Sequence, residues 1–325
     1  MAAHCENGVT AGLLRFNGVQ LSEPMVFGIG SGLFFSYLPF LKVNYAPGFS
    51  FRTLPGWVFK RVAKRLNFKI ESKTYKDPAI AMQELDKMLE KGVPVGLQVG
   101  VYNLTYFPDV YRFHFNAHNI VVFGKENGLY HISDPVMENV VTLSEEELIK
   151  VRFAKGAMQP KGRMYFPVSF NTDFDLKTAI INGIKRTAGD MVKVPIPLFG
   201  VRGIKTVSKK IRKWPEELGN KKASLYLAQI IRMQEEIGTG GAGFRFIYAA
   251  FLQEAAKVLE KPEFRDMSLE LTAIGDRWRE WALIASRNCK DRAKPEESYD
   301  QLADIMLELH HREKTFFTKL LKIVS

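Results

Sequence analysis

The apolar residues of this chain change their spacing partway along it, and that change sets the outline of the fold. Beyond residue 171 they recur at three- and four-residue intervals through 223–237, 244–259, 267–286 and 299–323, the period of helices that bury one face. Before residue 166 the pattern is mixed. An opening helix follows Cys5, a Gly-rich apolar segment covers 25–41, and helical spacing returns near 57–66 and 79–91. Short apolar runs at 93–101, 119–123 and 129–132 then have the length of strands. The sequence therefore predicts an α+β domain over 1–165 and an all-α domain over 166–325. The join is expected within 155–172, where Gly156, Pro160, Gly162 and Pro167 punctuate the chain. A length of 325 residues suits two domains, because single cores stop growing at about 250–300 residues.

Asn127-Gly128 separates two of the apolar runs, and Asn-Gly in that setting marks a tight hairpin. The hairpin brings His118, at the start of one strand, toward Asp134, just past the end of the other. A carboxylate on one imidazole nitrogen fixes the tautomer and leaves the other nitrogen for a nucleophile. Cys5 is the candidate. It stands at the start of the first helix, where unpaired N–H groups favour a thiolate. Taken singly, Cys5 reads as a buried structural thiol and His118 as a hydrogen-bonded histidine at a strand end; the Asp134 pairing shifts the reading to chemistry.

Cys5 and Cys289 lie at opposite ends of the chain and make no disulfide framework, so a reducing, cytoplasmic location is expected. The 25–41 segment is too short and too broken by Pro and Gly for a spanning helix, and no signal-peptide pattern opens the chain. A net charge of +11 favours an acidic partner. The basic run at 205–222 lacks the interleaved aromatics of an RNA-binding sheet, reads most simply as a solvated face, and gives no reason to expect nucleic acid.

Further motifs go beyond a triad. His4-Cys5-Glu6, Leu21-Ser22-Glu23-Pro24-Met25, the glycine-rich 27–33, Ala117-His118-Asn119 with the apolar run to Gly124, and Tyr130-His131-Ile132-Ser133-Asp134-Pro135 resemble the opening of the butirosin biosynthesis protein H family. The segment 238–245, with Tyr248 and Glu254, resembles the helical domain of unknown function that often follows it. The resemblance implies a papain-like fold for the first domain, with the helical domain covering or extending its active site. It also implies acyl transfer, since the family's namesake moves an aminoacyl group from a carrier protein's pantetheine arm to an aminoglycoside amine. Cys5 would attack the thioester, His118 would carry the proton and Asp134 would orient His118. A phosphopantetheine thioester would be the donor arm, an acidic acyl carrier protein the partner, and an amine or hydroxyl of a small secondary metabolite the acceptor. No bound cofactor is implied. Hydrolysis of a peptide, amide or thioester by the same triad is the competing reading, and a non-catalytic binding module is a third.

Papain-like enzymes often place a glutamine just before the cysteine as oxyanion donor, but only four residues precede Cys5. Backbone N–H groups, Asn7 or Gln98 are the replacements expected. Glu23 is a candidate to hold His4 or a substrate amine, or to cap a helix at Pro24. The 28–32 glycines suggest a tight apolar wall beside the nucleophile. The 238–241 loop allows either an anion at a helix start or a close helix approach, and Arg245 and Tyr248 are candidates to contact phosphopantetheine or acceptor. His310 and His311 are adjacent on a helix and poorly placed as co-ligands, so no metal site is expected, and Cys289 has no partner histidine nearby.

Overall fold

The computed structural model describes residues 1–43, 45–169 and 173–325. Its elements in chain order are α1 (Cys5–Phe16), α2 (Glu23–Ile29), β1 (Leu33–Val43), β2 (Ala46–Arg52), α3 (Trp57–Arg65), β3 (Lys69–Lys73), α4 (Pro78–Glu90), β4 (Val95–Val99), β5 (His118–Glu126), β6 (Leu129–Ser133), β7 (Val141–Ser144), α5 (Glu145–Arg152) and β8 (Met164–Ser169), followed by the helices α6 (Leu176–Lys193), α7 (Gly200–Leu218), α8 (Asn220–Ile231), α9 (Arg245–Leu259), α10 (Glu263–Cys289) and α11 (Tyr299–Ile323). They group into two units, one of residues 1–26 and 58–175, the other of 27–57 and 176–325.

The first unit is built on an antiparallel sheet of order β3-β8-β4-β5-β6-β7. Its centre is the Asn-Gly hairpin, with Asn127 at φ 50 and Gly128 at φ 78, the two positive angles that a type I′ turn requires. Val121 pairs with Ser133, so continuing the register sets Asp134 opposite Ile120 and diagonal to His118, within side-chain reach. Val95, Leu97 and Val99 of β4, with Ile120, Val122, Tyr130 and Ile132, form one core against Met82 and Leu85 of α4 and Leu148 and Val151 of α5. Each such side chain contributes about 1.5–3 kcal/mol when fully buried. Helix α1 packs on β5 through a face that includes Val9, Leu13 and Leu14, and this sets its first residue near the start of the strand that carries His118.

The C-terminal half is helical, as its spacing predicts, but the unit it forms also takes in 27–57 with the antiparallel β1–β2 hairpin. The expected join at 155–172 runs into residues 170–172, which lie outside the described residues; the two units part between Asp175 and Leu176. The glycines of 28–32 serve packing in this second unit. A Cβ on Gly28 would stand 2.1 Å from the Phe251 ring, closer than any side chain tolerates. The 238–241 loop is closed internally. Thr239 Oγ1 donates to Gln234 O and accepts from Gly241 N–H, while the Glu235 carboxylate accepts from Ala242 N–H, so a carboxylate of the chain already fills the anion position.

Arg245 and Tyr248 are core residues of this unit, which corrects the expectation that they meet a substrate. Arg245 is fully buried and forks onto Glu313, Nε to Oε1 at 2.9 Å and Nη2 to Oε2 at 3.0 Å. Its guanidinium lies 4.9 Å from the Trp278 ring centroid, and Trp278 Nε1 donates to Glu313 at 2.6 Å. Tyr248 is fully buried and edge-on to Phe27 and Phe251. Glu313→Ala strands a buried guanidinium and is expected to cost about 3–5 kcal/mol, measured as a lowered urea midpoint with unchanged slope. Among the described residues no helix is long and apolar enough to cross a membrane.

Candidate active site

Cys5 is the first residue of α1 and is buried. The preceding His4 caps the helix, its Nδ1 accepting from Asn7 N–H at 3.4 Å. Glu23 grips the same segment, its two carboxylate oxygens accepting from Ala3 N–H and His4 N–H, each at 2.8 Å. Burial pushes the Glu23 carboxyl up, while those two backbone donors and the nearby Asn7 side chain oppose the shift. Glu6 accepts from Phe59 N–H at 3.3 Å near the start of α3. Ala2 N–H donates to Pro135 O at 2.7 Å. Gly8 is required on α1, because a Cβ there would stand 2.4 Å from Pro135 Cβ and push the helix off the residue that follows Asp134. The approach to Cys5 is thus fixed at several points along 2–8.

His118 Nε2 and Asp134 Oδ2 are 2.7 Å apart and both residues are buried. Asp134 is itself held: Tyr106 donates its hydroxyl to Oδ2 at 2.9 Å, and Val136 N–H donates to Oδ1 at 3.1 Å. With Nε2 committed to Asp134, Nδ1 is the ring nitrogen left for Cys5. Burial alone would lower the His118 pKa, but the Cys5 thiolate and the Asp134 carboxylate, with their hydrogen bonds, outweigh it and push it up to about 10. An imidazolium in this position favours a thiolate at Cys5 over a thiol. Tyr106 is pushed well above its ordinary range by burial and by Asp134, and so remains a hydroxyl donor.

Two side chains complete the surroundings of the sulfur. Asn119 Nδ2 lies 3.9 Å from Cys5 Sγ and donates to Ala117 O at 3.1 Å, while Tyr165 donates its hydroxyl to Asn119 Oδ1 at 2.7 Å. Burial, then Glu6 and Cys5, raise Tyr165 well above its ordinary range, so it stays protonated and fixes the carboxamide with its N–H groups toward the thiol. The sequence gives Asn119 no role beyond its place in the 117–119 motif, and it marks neither Tyr165 nor Tyr106. Asn119 adjoins His118, which is a usable signal; the tyrosines reach their partners across 46 and 28 residues and leave no local mark.

The structure brings Cys5, His118 and Asp134 together, with His4 and Glu23 as supports of the nucleophile's segment. Asn7 is fully buried on α1; among the described residues its carboxamide has no hydrogen-bond partner within normal distance, and it stands close enough to Glu23 to favour its ionised form. Gln98 is not free to serve as an oxyanion donor, since its Nε2 donates to Asn116 O at 2.9 Å and to Met158 O at 3.1 Å. Arg245 and Tyr248 lie in the second unit's core. Among the described residues no three His, Cys, Asp or Glu side chains are placed to hold a metal ion.

A cysteine at a helix start, a histidine at the head of a facing strand and a carboxylate on the hairpin partner form the arrangement of a nucleophile, a base and the acid that orients the base. The chain belongs to the family described as Domain of unknown function (DUF4872), whose model matches residues 146–320, and its residues 4–135 match the model described as Butirosin biosynthesis protein H, N-terminal. No curated protein matches the chain. Among solved structures it is similar to a protein from Bacillus anthracis described as a C39-like peptidase, at 16% identity and a TM-score of 0.36, over 52% of this chain and 90% of that one.

Proposed function

We propose that the chain is an acyltransferase that takes an acyl group from a pantetheine thioester onto Cys5 and passes it to an amine or hydroxyl of a small secondary metabolite. The observation that carries this reading is the His118 imidazole held between Asp134 and the Cys5 sulfur at a helix start. The match to the butirosin biosynthesis protein H model supports a biosynthetic setting, and the net charge of +11 suits an acidic carrier protein that presents the thioester on phosphopantetheine.

Each step balances with the groups present. The Cys5 thiolate attacks the thioester carbon, the new C–S bond forms as the bond to pantetheine breaks, and His118 gives its proton to the departing pantetheine sulfur. The acceptor amine then attacks the acyl group on Cys5 and loses a proton to neutral His118, and the thiolate leaves, restoring the ion pair. Thioester to thioester is nearly isoenergetic, so the amide bond formed in the second step makes the sequence favourable. Asn119 holds the sulfur through its Nδ2, and Tyr165 acts as a positioning residue through Asn119. Asn119→Ala is expected to slow acylation about 10- to 100-fold, the size of one hydrogen bond to a charged group, with Tyr165→Phe shifted in the same direction but less.

Acyl-pantetheine thioesters supplied with a panel of amines and hydroxyl compounds test the reading, with products followed by mass spectrometry. Acylated acceptor in excess over free acid is expected. Free acid alone across the panel would favour the hydrolase instead.

A further inference from the structure

The basic run at 205–222 contributes to a feature that the chemistry of Cys5 does not use. In the second unit, α7 and α11 pack together and frame a cleft of about 450 Å³ whose lining includes Arg202, Lys205, Thr206, Lys209, His310 and Lys314. Positions 202, 205, 206 and 209 recur three and four residues apart, so they share one face of α7, and α11 supplies the facing wall. Among the described residues Lys205, Lys209 and Lys314 have no carboxylate partner, and Arg202 reaches only Pro195 O, at 3.4 Å. Further along α7, Arg212 is held by Asp300 at 2.7 Å and Asp304 at 2.5 Å. His310 is 5% exposed. Its Nδ1 is 2.7 Å from Val201 O, and a carbonyl only accepts, so Nδ1 carries the hydrogen. Nε2 is left as an acceptor with no partner among the described residues.

Four like charges gathered around a concavity repel one another and are stabilised when a multivalent anion joins them. Lysines recognise phosphate as point charges and arginine as a planar fork. The volume falls within the range of small-molecule sites, and a concave lining suits a compact ligand better than the broad acidic face of a protein. We propose that this cleft binds a small phosphorylated molecule of at least two negative charges, its phosphate among Arg202, Lys205, Lys209 and Lys314 and a ligand hydroxyl donating to His310 Nε2. The proposal does not rest on the acyl-transfer reading.

Calorimetric titration of the whole chain with inorganic pyrophosphate at low and moderate salt tests it. One saturable site is expected, weakening as salt rises. The Lys205→Gln/Lys209→Gln variant should bind at least about tenfold more weakly. The Lys210→Gln/Lys213→Gln variant removes the same charge from exposed positions of α7 outside the cleft and should bind as the native chain does. Thermal melts of both variants check that they fold. Absence of saturable binding, or equal weakening in the two variants, would overturn the proposal in favour of a non-specific basic face. Stronger binding of polyglutamate than of pyrophosphate would overturn it in favour of an acidic protein partner.

Discussion

Cys5→Ala is expected to abolish acyl-enzyme formation and to lower thioester turnover by about 10⁴-fold or more, since residues of a nucleophile–base pair fail together when the nucleophile is lost. The fold should survive. Cys5 sits on the first turn of α1, where His4, Glu23 and Glu6 hold the chain through backbone donors and without the thiol. The expected result is therefore a normal thermal transition with no covalent adduct in intact-protein mass spectra. An adduct of unchanged yield on the variant would assign the nucleophile elsewhere.

Asp134→Asn is expected to lower the rate on the order of 10³- to 10⁴-fold with little change in KM. At present Oδ2 accepts from both His118 and the Tyr106 hydroxyl, and Oδ1 accepts from Val136 N–H. An asparagine that keeps the Val136 bond must turn its NH2 group toward His118 and Tyr106. The imidazole then answers with a bare Nε2 and a hydrogen on Nδ1, a neutral ring that no longer pairs with a thiolate. Single-turnover acylation separates this loss from weaker thioester binding. An unchanged acylation rate would remove Asp134 from the mechanism.

Much of this site is legible in the sequence because it is built from local signals. Asn127-Gly128 fixes the hairpin, the hairpin fixes the register, and the register sets Asp134 diagonal to His118. Cys5 at a helix start follows from the apolar spacing of α1. The helices from α8 to α11 are equally plain. The β1–β2 hairpin is not, because Pro39, Pro47 and Gly48 disguise strands whose partners lie next to each other. Arg245 and Tyr248 show a related limit: helical spacing shows that two residues share a face, but not that the face is buried on Glu313 and Trp278. Gln98 pairs with Asn119 in the sheet, yet its side chain is drawn to Asn116 O and Met158 O, contacts that depend on loops far along the chain.

His118 gains affinity for its proton on folding, from the ordinary 6.5 to about 10. Its charged form therefore contributes stability in full below about 6.5, and this is lost as pH rises through about 10. The same pairing governs the thiol, so the most direct test is the rate of Cys5 alkylation by iodoacetamide from pH 5 to 10, read by peptide mapping to separate Cys5 from Cys289. The native chain is predicted to react rapidly and nearly uniformly from pH 6 to 9, while His118→Ala should show the rise of an ordinary thiol near about 8.5. A native profile that rises with pH like that of His118→Ala would contradict the ion pair, and with it the assignment of Cys5 as an activated nucleophile.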